Sequence, residues 1–355
     1  MNIMQKTPNL VLDTFCEVYS LLTPYSSDEF WDFDQHEIVP GATYVVGRKQ
    51  CIDHRDRLLE LANSGTIKLV ISNPHEGSQT LAGQMTRLGF REAMTKGTVR
   101  LIGGGDMPPE WNYILYDKFL PEILDYEENI VAAQSVDAIY TKEHKPYNFL
   151  CLNGRHRPHR AELIRKLGEK DLLDRSLWTN LDSGNGAIQT LPPEYEVPRY
   201  QHNATTNNYV KFELFTNEWG EIYLEPAPYI DTYFSLVSET VFDIPYSFRT
   251  EKIWKPIVMG HPWITVANRG FYRDLHNLGF QTYSHIIDES FDTIDNGQDR
   301  LDRIITVVQD LCSQDLAAFL RECYNTSKYN QQHHRETAQK TRAEFPQRFF
   351  QFINE

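Results

Sequence analysis

At residues 250–252 the chain reads Thr-Glu-Lys, a hydroxyl, a carboxylate and an ammonium group in direct succession. Ile253, Trp254, Ile257 and Val258 then recur at the spacing of one helix face, which puts the three polar residues in a first helical turn. Thr250 reads as the N-cap and Gly260 as the C-terminal stop, while Pro256 inside the pattern predicts a kinked or short helix. Free backbone N–H groups and the macrodipole make such a turn attractive to an anion, and Lys252 can reach a phosphate there. A carboxylate is unsuited to phosphate but well suited to accept hydrogen bonds from two adjacent sugar hydroxyls. Glu251 on a ribose and Lys252 on a diphosphate together describe a nucleotide sugar. The same pair also occurs as a solvated helix cap contributing a few tenths of a kcal/mol.

Upstream lies the densest basic cluster of the chain, Asn153-Gly154-Arg155-His156-Arg157-Pro158-His159-Arg160. It joins an apolar run at 149–152 to a helical pattern that begins at Ala161 and carries Leu163, Ile164 and Leu167 on one side. Three arginines and two histidines repel one another at short range unless an anion lies among them. Guanidinium forks match phosphate oxygens in pairs. Arg160 is also placed to cap or pair on the helix surface, and zinc at His156 and His159 lacks a Cys or carboxylate at ligand spacing.

The stretch SETVFDIPYSFRTEKIWKPIVMGHPWITVA, residues 238–267, resembles the donor-site region of the fucosyltransferase-like glycosyltransferases of GT-B architecture and of related phage-encoded enzymes. The likeness extends over residues 148–280 and is specific at Thr250, Glu251 and Lys252. Ser238, Glu239 and Thr240 stand where the family carries a short polar motif with Asn. The resemblance implies an α/β GT-B-like fold, two Rossmann-like domains facing a cleft. Residues 1–143 would form the acceptor side, 146–325 the nucleotide-sugar donor domain, and 326–355 a helix crossing back, with 345–352 as its strap. It implies ribose contact by Glu251 and diphosphate contact by Lys252 and by Arg155 or Arg157. It also implies inversion at the sugar carbon, with a GDP- or UDP-sugar as donor and a glycan or other hydroxyl compound as acceptor. The acidic stretch 286–292 occupies the place of a similar motif in the phage proteins, as donor contact or helix cap. Arg155, Arg157 and Lys252 would neutralise the leaving diphosphate as a bound metal does elsewhere, so no essential metal is expected.

Transfer to a hydroxyl needs a base, which two-domain enzymes of this kind take from the N-terminal domain. Glu76 is the first candidate, in the loop Asn73-Pro74-His75-Glu76-Gly77-Ser78, with His75 and Asp106 behind it; Asp106 follows Gly103-Gly104-Gly105. Both loops also read as ordinary polar turns, the commoner role of such sequences. The triple glycine is no dinucleotide fingerprint, because Met107, Pro108 and Pro109 follow it in place of an opening helix.

The elements behind these residues alternate. Residues 44–46, 67–72 and 98–102 read as strands, with helices marked by Leu58, Leu59 and Leu61 and by a segment running through Leu88. A helical, acidic segment from Trp111 to Tyr140 and a linker at 142–146 follow. Strands at 149–152, 233–237 and 263–266 then alternate with helices at 161, 250 and 270, the last ended by Gly279. Residues 171–230 read as a loop insertion with a strand pair at 210–216 and 221–224, and Leu301, Ile304, Ile305, Val308 and Leu311 line a later helix. Such alternation implies parallel sheets with ligands beyond the carboxyl ends of the strands. Residues 1–40 are aromatic and acidic and suggest no chemistry.

The 355 residues suit two domains, and 41% hydrophobic content can fill both cores. A formal charge of -14 disfavours a nucleic-acid partner. Five scattered cysteines without a Cys-x-x-Cys pair fit reduced thiols in a cytoplasmic protein. Neither a signal peptide nor an apolar run long enough for a membrane span is expected. Two further readings are a nucleotide- or phosphosugar-binding protein without turnover and an enzyme that glycosylates modified bases in phage DNA.

Overall fold

Val45, Val70 and Ile102 pack into one apolar cluster while their neighbours Tyr44, Val46, Leu69, Ile71 and Leu101 pack into another. This period of two is the mark of strands buried on both faces. The structure, a computed structural model, describes residues 9–13, 16–26, 37–107, 111–127, 132–181, 188–195, 202–203, 208–209 and 224–355. These divide into two compact units, one of residues 1–118 with 339–355 and one of residues 119–338.

In the first unit the strands β1 (Leu10–Leu12), β2 (Thr43–Gly47), β3 (Lys68–Asn73), β4 (Val99–Gly103) and β5 (Tyr113–Leu115) form one parallel sheet in the order β1-β2-β3-β4-β5. The helices between them are α1 (Tyr19–Leu22), α2 (Arg48–Asp53), α3 (Arg55–Asn63), α4 (Ser78–Arg87) and α5 (Arg91–Lys96). Helices α2 to α5 bury Cys51, Leu58, Ala62, Leu81, Met85 and Ala93 on one face of the sheet. On the other face lie Val18, Leu22 and four residues of the chain's last turns, Phe345, Phe349, Phe350 and Ile353.

The second unit contains α6 (Phe119–Glu127), α7 (Ala132–Thr141), β6 (Tyr147–Asn153), α8 (Pro158–Glu169), β7 (Leu177–Asn180), the short antiparallel pair β8 (His202–Asn203) and β9 (Asn208–Tyr209), α9 (Pro226–Ile230), β10 (Thr232–Ser238), α10 (Glu251–Met259), β11 (Trp263–Val266), α11 (Phe271–Asn277) and α12 (Gly297–Cys312). The 39-residue α13 (Leu316–Asn354) runs from this unit into the first. Four strands make a parallel sheet in the order β11-β10-β6-β7. Every residue of β10 is buried, as a central parallel strand requires. Helix α8 packs with α12, and α10 with α6, α7 and α9.

The two parallel sheets establish the α/β class. Short β5 and β7 are strands where the sequence pattern reads helix and loop, and β1 lies in a stretch to which the pattern assigns no element. Three or four residues with flanking turns carry too little periodicity to register. The strand pair expected at 210–216 and 221–224 lies outside the described residues apart from Leu224. Among the described residues no helix is long and apolar enough to cross a membrane.

Candidate functional site at the switch point of the second sheet

Strand β6 leads through α8 to β7 on one side, whereas β10 leads through α10 to β11 on the other. The two paths therefore part between β6 and β10, which are hydrogen-bonded neighbours with Phe149 opposite Phe234. In open α/β sheets the crevice beyond the carboxyl ends at such a reversal is where ligands bind. The loop after β6 is the arginine turn, and the loop after β10 ends in Thr250, Glu251 and Lys252. Topology thus brings together two segments that lie far apart in sequence.

Direct bonds join them. His159 donates from Nε2 to the Glu239 carbonyl oxygen at 2.9 Å, and Arg160 donates to the Ser238 carbonyl oxygen at 3.0 Å and to that of Arg155 at 3.0 Å. Both side chains are buried. Burial lowers the His159 pKa to about 4, so its imidazole is neutral, and the ring stacks on Phe242 at 5.0 Å. Burial likewise pulls the Arg160 pKa down, opposed by the Glu239 carboxylate. The sequence alone leaves Arg160 a place as a cap or pair on the helix surface. It is instead an interior clamp between the two loops, and Arg155 and Arg157 remain as the exposed and half-exposed cations of the turn. The Arg157 guanidinium donates to the His156 carbonyl oxygen at 2.9 Å.

Helix α10 begins as its sequence predicts. Thr250 is the N-cap, with extended backbone and a hydroxyl that accepts from the Lys252 N–H at 3.4 Å. Gly260 ends the helix with φ +67°, a conformation that costs glycine little. The helix is short, nine residues, with Pro256 inside it. Ile253, Trp254, Ile257 and Val258 are buried, each contributing about 1.5–3 kcal/mol by area.

Glu239 is fully buried and holds this start to the end of β10. Its Oε1 accepts from the Thr250 N–H at 3.2 Å, and its Oε2 accepts from the Thr250 hydroxyl at 2.7 Å and the Thr240 N–H at 3.2 Å. Burial pushes its pKa up, with the Glu251 charge adding to the rise and Lys252 and Thr250 opposing it. Burial also pushes Glu251 up, but the ammonium groups of Lys252 and Lys255 outweigh it and hold that carboxyl below the usual range. Glu251 is the carboxyl of the two whose charged form its neighbours favour. Its partner is Lys252, whose Nζ also donates to the Thr250 hydroxyl at 3.1 Å.

Three buried polar atoms around the switch point lack a hydrogen-bond partner among the described residues: Asn153 Oδ1, Arg160 Nε and Ser238 Oγ. An acceptor, a donor and a hydroxyl at the ends of β6 and β10 constitute hydrogen-bonding capacity for a polar ligand. Helices α8 and α10 follow these two strands in the chain, and helix N-termini beyond adjacent strand ends suit an anion carrying hydroxyl groups.

The other expected residues stand on the carboxyl edge of the first sheet. Glu76 and Asp106 lie in loops joined through the Gly104 N–H, which donates to the Glu76 carbonyl oxygen at 3.0 Å. The triple glycine has a packing role here. A Cβ on Gly103 would come within 2.9 Å of the Ser78 Cα, and the Gly105 N–H donates to the Ser78 hydroxyl at 3.3 Å. His75 is exposed, with Nδ1 4.0 Å from Glu17 Oε1. Glu17 was missed by sequence reasoning; the available signal was an acid shortly after an apolar run, the pattern that drew attention to Glu76 and Asp106.

The acidic stretch 286–292 supplies a helix cap. Asp292 accepts from the N–H groups of Tyr272 and Arg273 at 3.1 and 3.3 Å, at the start of α11. Among the described residues no three His, Cys, Asp or Glu side chains converge as a metal site. No protein-family model, curated protein or solved structure matches this chain.

Proposed function

We propose that this chain is a glycosyltransferase that moves a sugar from a nucleotide-diphosphate donor to a hydroxyl acceptor, with the donor held by the second sheet. The observation that carries the reading is the meeting, at the switch point, of the arginine turn and the Thr250-Glu251-Lys252 helix start. In this reading Glu251, ionised and at a helix start, accepts from the ribose hydroxyls. Lys252, Arg155 and Arg157 meet the diphosphate, with the N-termini of α8 and α10 adding their dipoles. Positive charge fixed at the leaving group is worth most in the transition state, where the glycosidic bond is breaking and the diphosphate gains charge. The GT-B assignment, inversion and a base among His75, Glu76 and Asp106 belong to the same proposal.

Melting curves with GDP, UDP, ADP and CMP test the donor half. A ligand at 100 times its Kd raises stability by about 2.7 kcal/mol if it binds only the folded chain. Lys252→Ala and Glu251→Ala are each expected to abolish donor hydrolysis and transfer with circular dichroism unchanged. Unaltered activity in both variants would end the assignment, and a melting shift without turnover would make the chain a nucleotide-binding protein.

A further inference from the structure

Every polar atom of Glu239 is engaged, and the engagements lead to three different elements. Its N–H donates to the Val266 carbonyl oxygen at the end of β11 at 3.0 Å, and its own carbonyl oxygen accepts from His159 of α8 at 2.9 Å. Its carboxyl oxygens take the Thr250 N–H and hydroxyl at the start of α10, together with the neighbouring Thr240 N–H. The residue is 0% exposed, so its carboxyl answers to these neighbours and not to solvent.

The Thr250 hydroxyl has one proton and two lone pairs. Given to Glu239 Oε2 at 2.7 Å, the proton leaves both lone pairs for Lys252, whose N–H stands at 3.4 Å and whose Nζ stands at 3.1 Å. An ionised Glu239 thus holds Lys252 through Thr250. A protonated Glu239 donates to the same hydroxyl, occupies one of its lone pairs and loosens that hold. Glu251 pairs with the same ammonium, so two carboxyl groups share one cation.

We propose that Glu239 is a positioning residue whose carboxyl takes up a proton when a phosphate-bearing ligand draws Lys252 away from Thr250. The inference rests on the reading that a diphosphate binds at the start of α10. Such a ligand brings negative charge toward two carboxyl groups and draws off the ammonium they share. Like charges raise one another's proton affinity, and burial raises it further in the group that solvent does not reach. The charged and titratable groups facing Glu239 are His159 and Arg160 of α8 and Glu251 and Lys252 of α10. His159 is neutral, and Arg160 stays bonded to the carbonyl oxygens of Ser238 and Arg155. Burial already pushes Glu239 up, with Glu251 adding to the rise, and the departure of Lys252 weakens what opposes it. The proton comes from solvent and returns there when the ligand leaves.

Linkage fixes the sign. A proton taken up with the ligand makes affinity rise as pH falls, by at most about tenfold per pH unit, until Glu239 is protonated in the free chain as well. Glu239→Gln imitates the protonated form, since an amide donates to the Thr250 hydroxyl and accepts from the Thr250 N–H. Inorganic pyrophosphate, GDP and UDP are the probes, titrated calorimetrically into the full chain between about pH 5 and about pH 9, a range that covers raised carboxyl groups. At the alkaline end the glutamine variant should bind on the order of tenfold tighter than the parent chain, and the two should converge at the acid end. Heats in two buffers of different ionisation enthalpy should show more protons taken up per ligand in the parent. A merely structural role would weaken the variant at every pH. Parallel affinity curves, or a variant weaker than the parent at the alkaline end, overturn the proposal and leave the donor site in place. Failure of all three probes to bind the parent chain removes the donor site and this proposal with it. If Glu239→Gln fails to fold, infrared difference spectra of the parent chain carrying carboxyl-labelled glutamate decide. Pyrophosphate must convert ionised glutamate signal to protonated signal within that range, and no conversion overturns the proposal.

Discussion

Replacing Thr250 by valine keeps the side chain's volume and branching and removes only its hydroxyl. That hydroxyl donates to Glu239 Oε2 at 2.7 Å and accepts from the Lys252 backbone and ammonium groups at 3.4 and 3.1 Å. The bond to a carboxylate is worth about 1.5–3 kcal/mol, since Oε2 is buried and keeps only the Thr240 N–H. The cap bond is long, which places it at the lower end of the capping range, about 0.5–1 kcal/mol. The expected loss is therefore about 2–4 kcal/mol. In a unit spanning residues 119–338 each kcal/mol moves the melting point by about 2–4 °C, so Tm should fall by roughly 4–16 °C.

Thermal unfolding at pH 8, followed by circular dichroism, reads this directly. Thr250→Ser retains the hydroxyl and should melt within a few degrees of the parent chain. The loss belongs to the tie between the end of β10 and the start of α10, so the serine and valine variants must part. A valine variant that melts with the serine variant would refute the role given to Glu239.

Two further perturbations follow from buried groups of the second unit. The Glu289 carboxyl is pushed up to about 7, by burial first, with the charges of Asp292 and Asp288 adding and the Thr282 hydroxyl opposing. A raised carboxyl favours folding below its unfolded value of about 4.5 and loses that contribution as pH rises through 7. Glu289→Gln should therefore leave stability unchanged near pH 4 and raise it by up to about 3 kcal/mol at pH 8, measured as urea midpoints; a gain at low pH instead would reverse the sign and the reasoning. Arg300 is buried and donates to the carbonyl oxygens of Phe242, Ile294, Ala267 and Asp295 at 2.7, 2.8, 3.1 and 3.2 Å, with its guanidinium 4.4 Å from the Phe242 ring centre. Arg300→Met leaves these oxygens short of a donor and should cost at least about 4 kcal/mol in the same assay, and a cost below about 1 kcal/mol would show that solvent or neighbours replace it.

What the sequence made legible was local. Thr250, Gly260 and the apolar spacing between them describe α10 because caps and periodicity act within a few residues. The alternation through Tyr44, Val45 and Val46 describes β2 for the same reason. The fates of Arg155, Arg157, His159 and Arg160 could not be told apart in this way. All four share one turn, and only the neighbouring strand β10 decides that His159 and Arg160 turn inward to its carbonyl groups. The contact between Ser72 and Glu17, 55 positions apart, was hidden for the same reason. It depends on β1 and β3 flanking β2, and β1 is a three-residue strand without a pattern of its own.

Strand order and charge point to the same division of labour. The first sheet runs β1-β2-β3-β4-β5 in sequence, so among its described strands no reversal opens a crevice, while the second has its reversal between β6 and β10. The acids Asp13, Glu17, Glu76 and Asp106 follow strands of the first sheet, whereas Arg155, Arg157, Arg160 and Lys252 follow strands of the second. A diphosphate brought to the first edge would meet carboxylates, at a cost that grows as water is excluded. Brought to the second it meets cations and two helix N-termini. The net charge of -14 says little about where an anion binds, because a local cluster such as Arg155, Arg157 and Lys252 sets the field at its own surface.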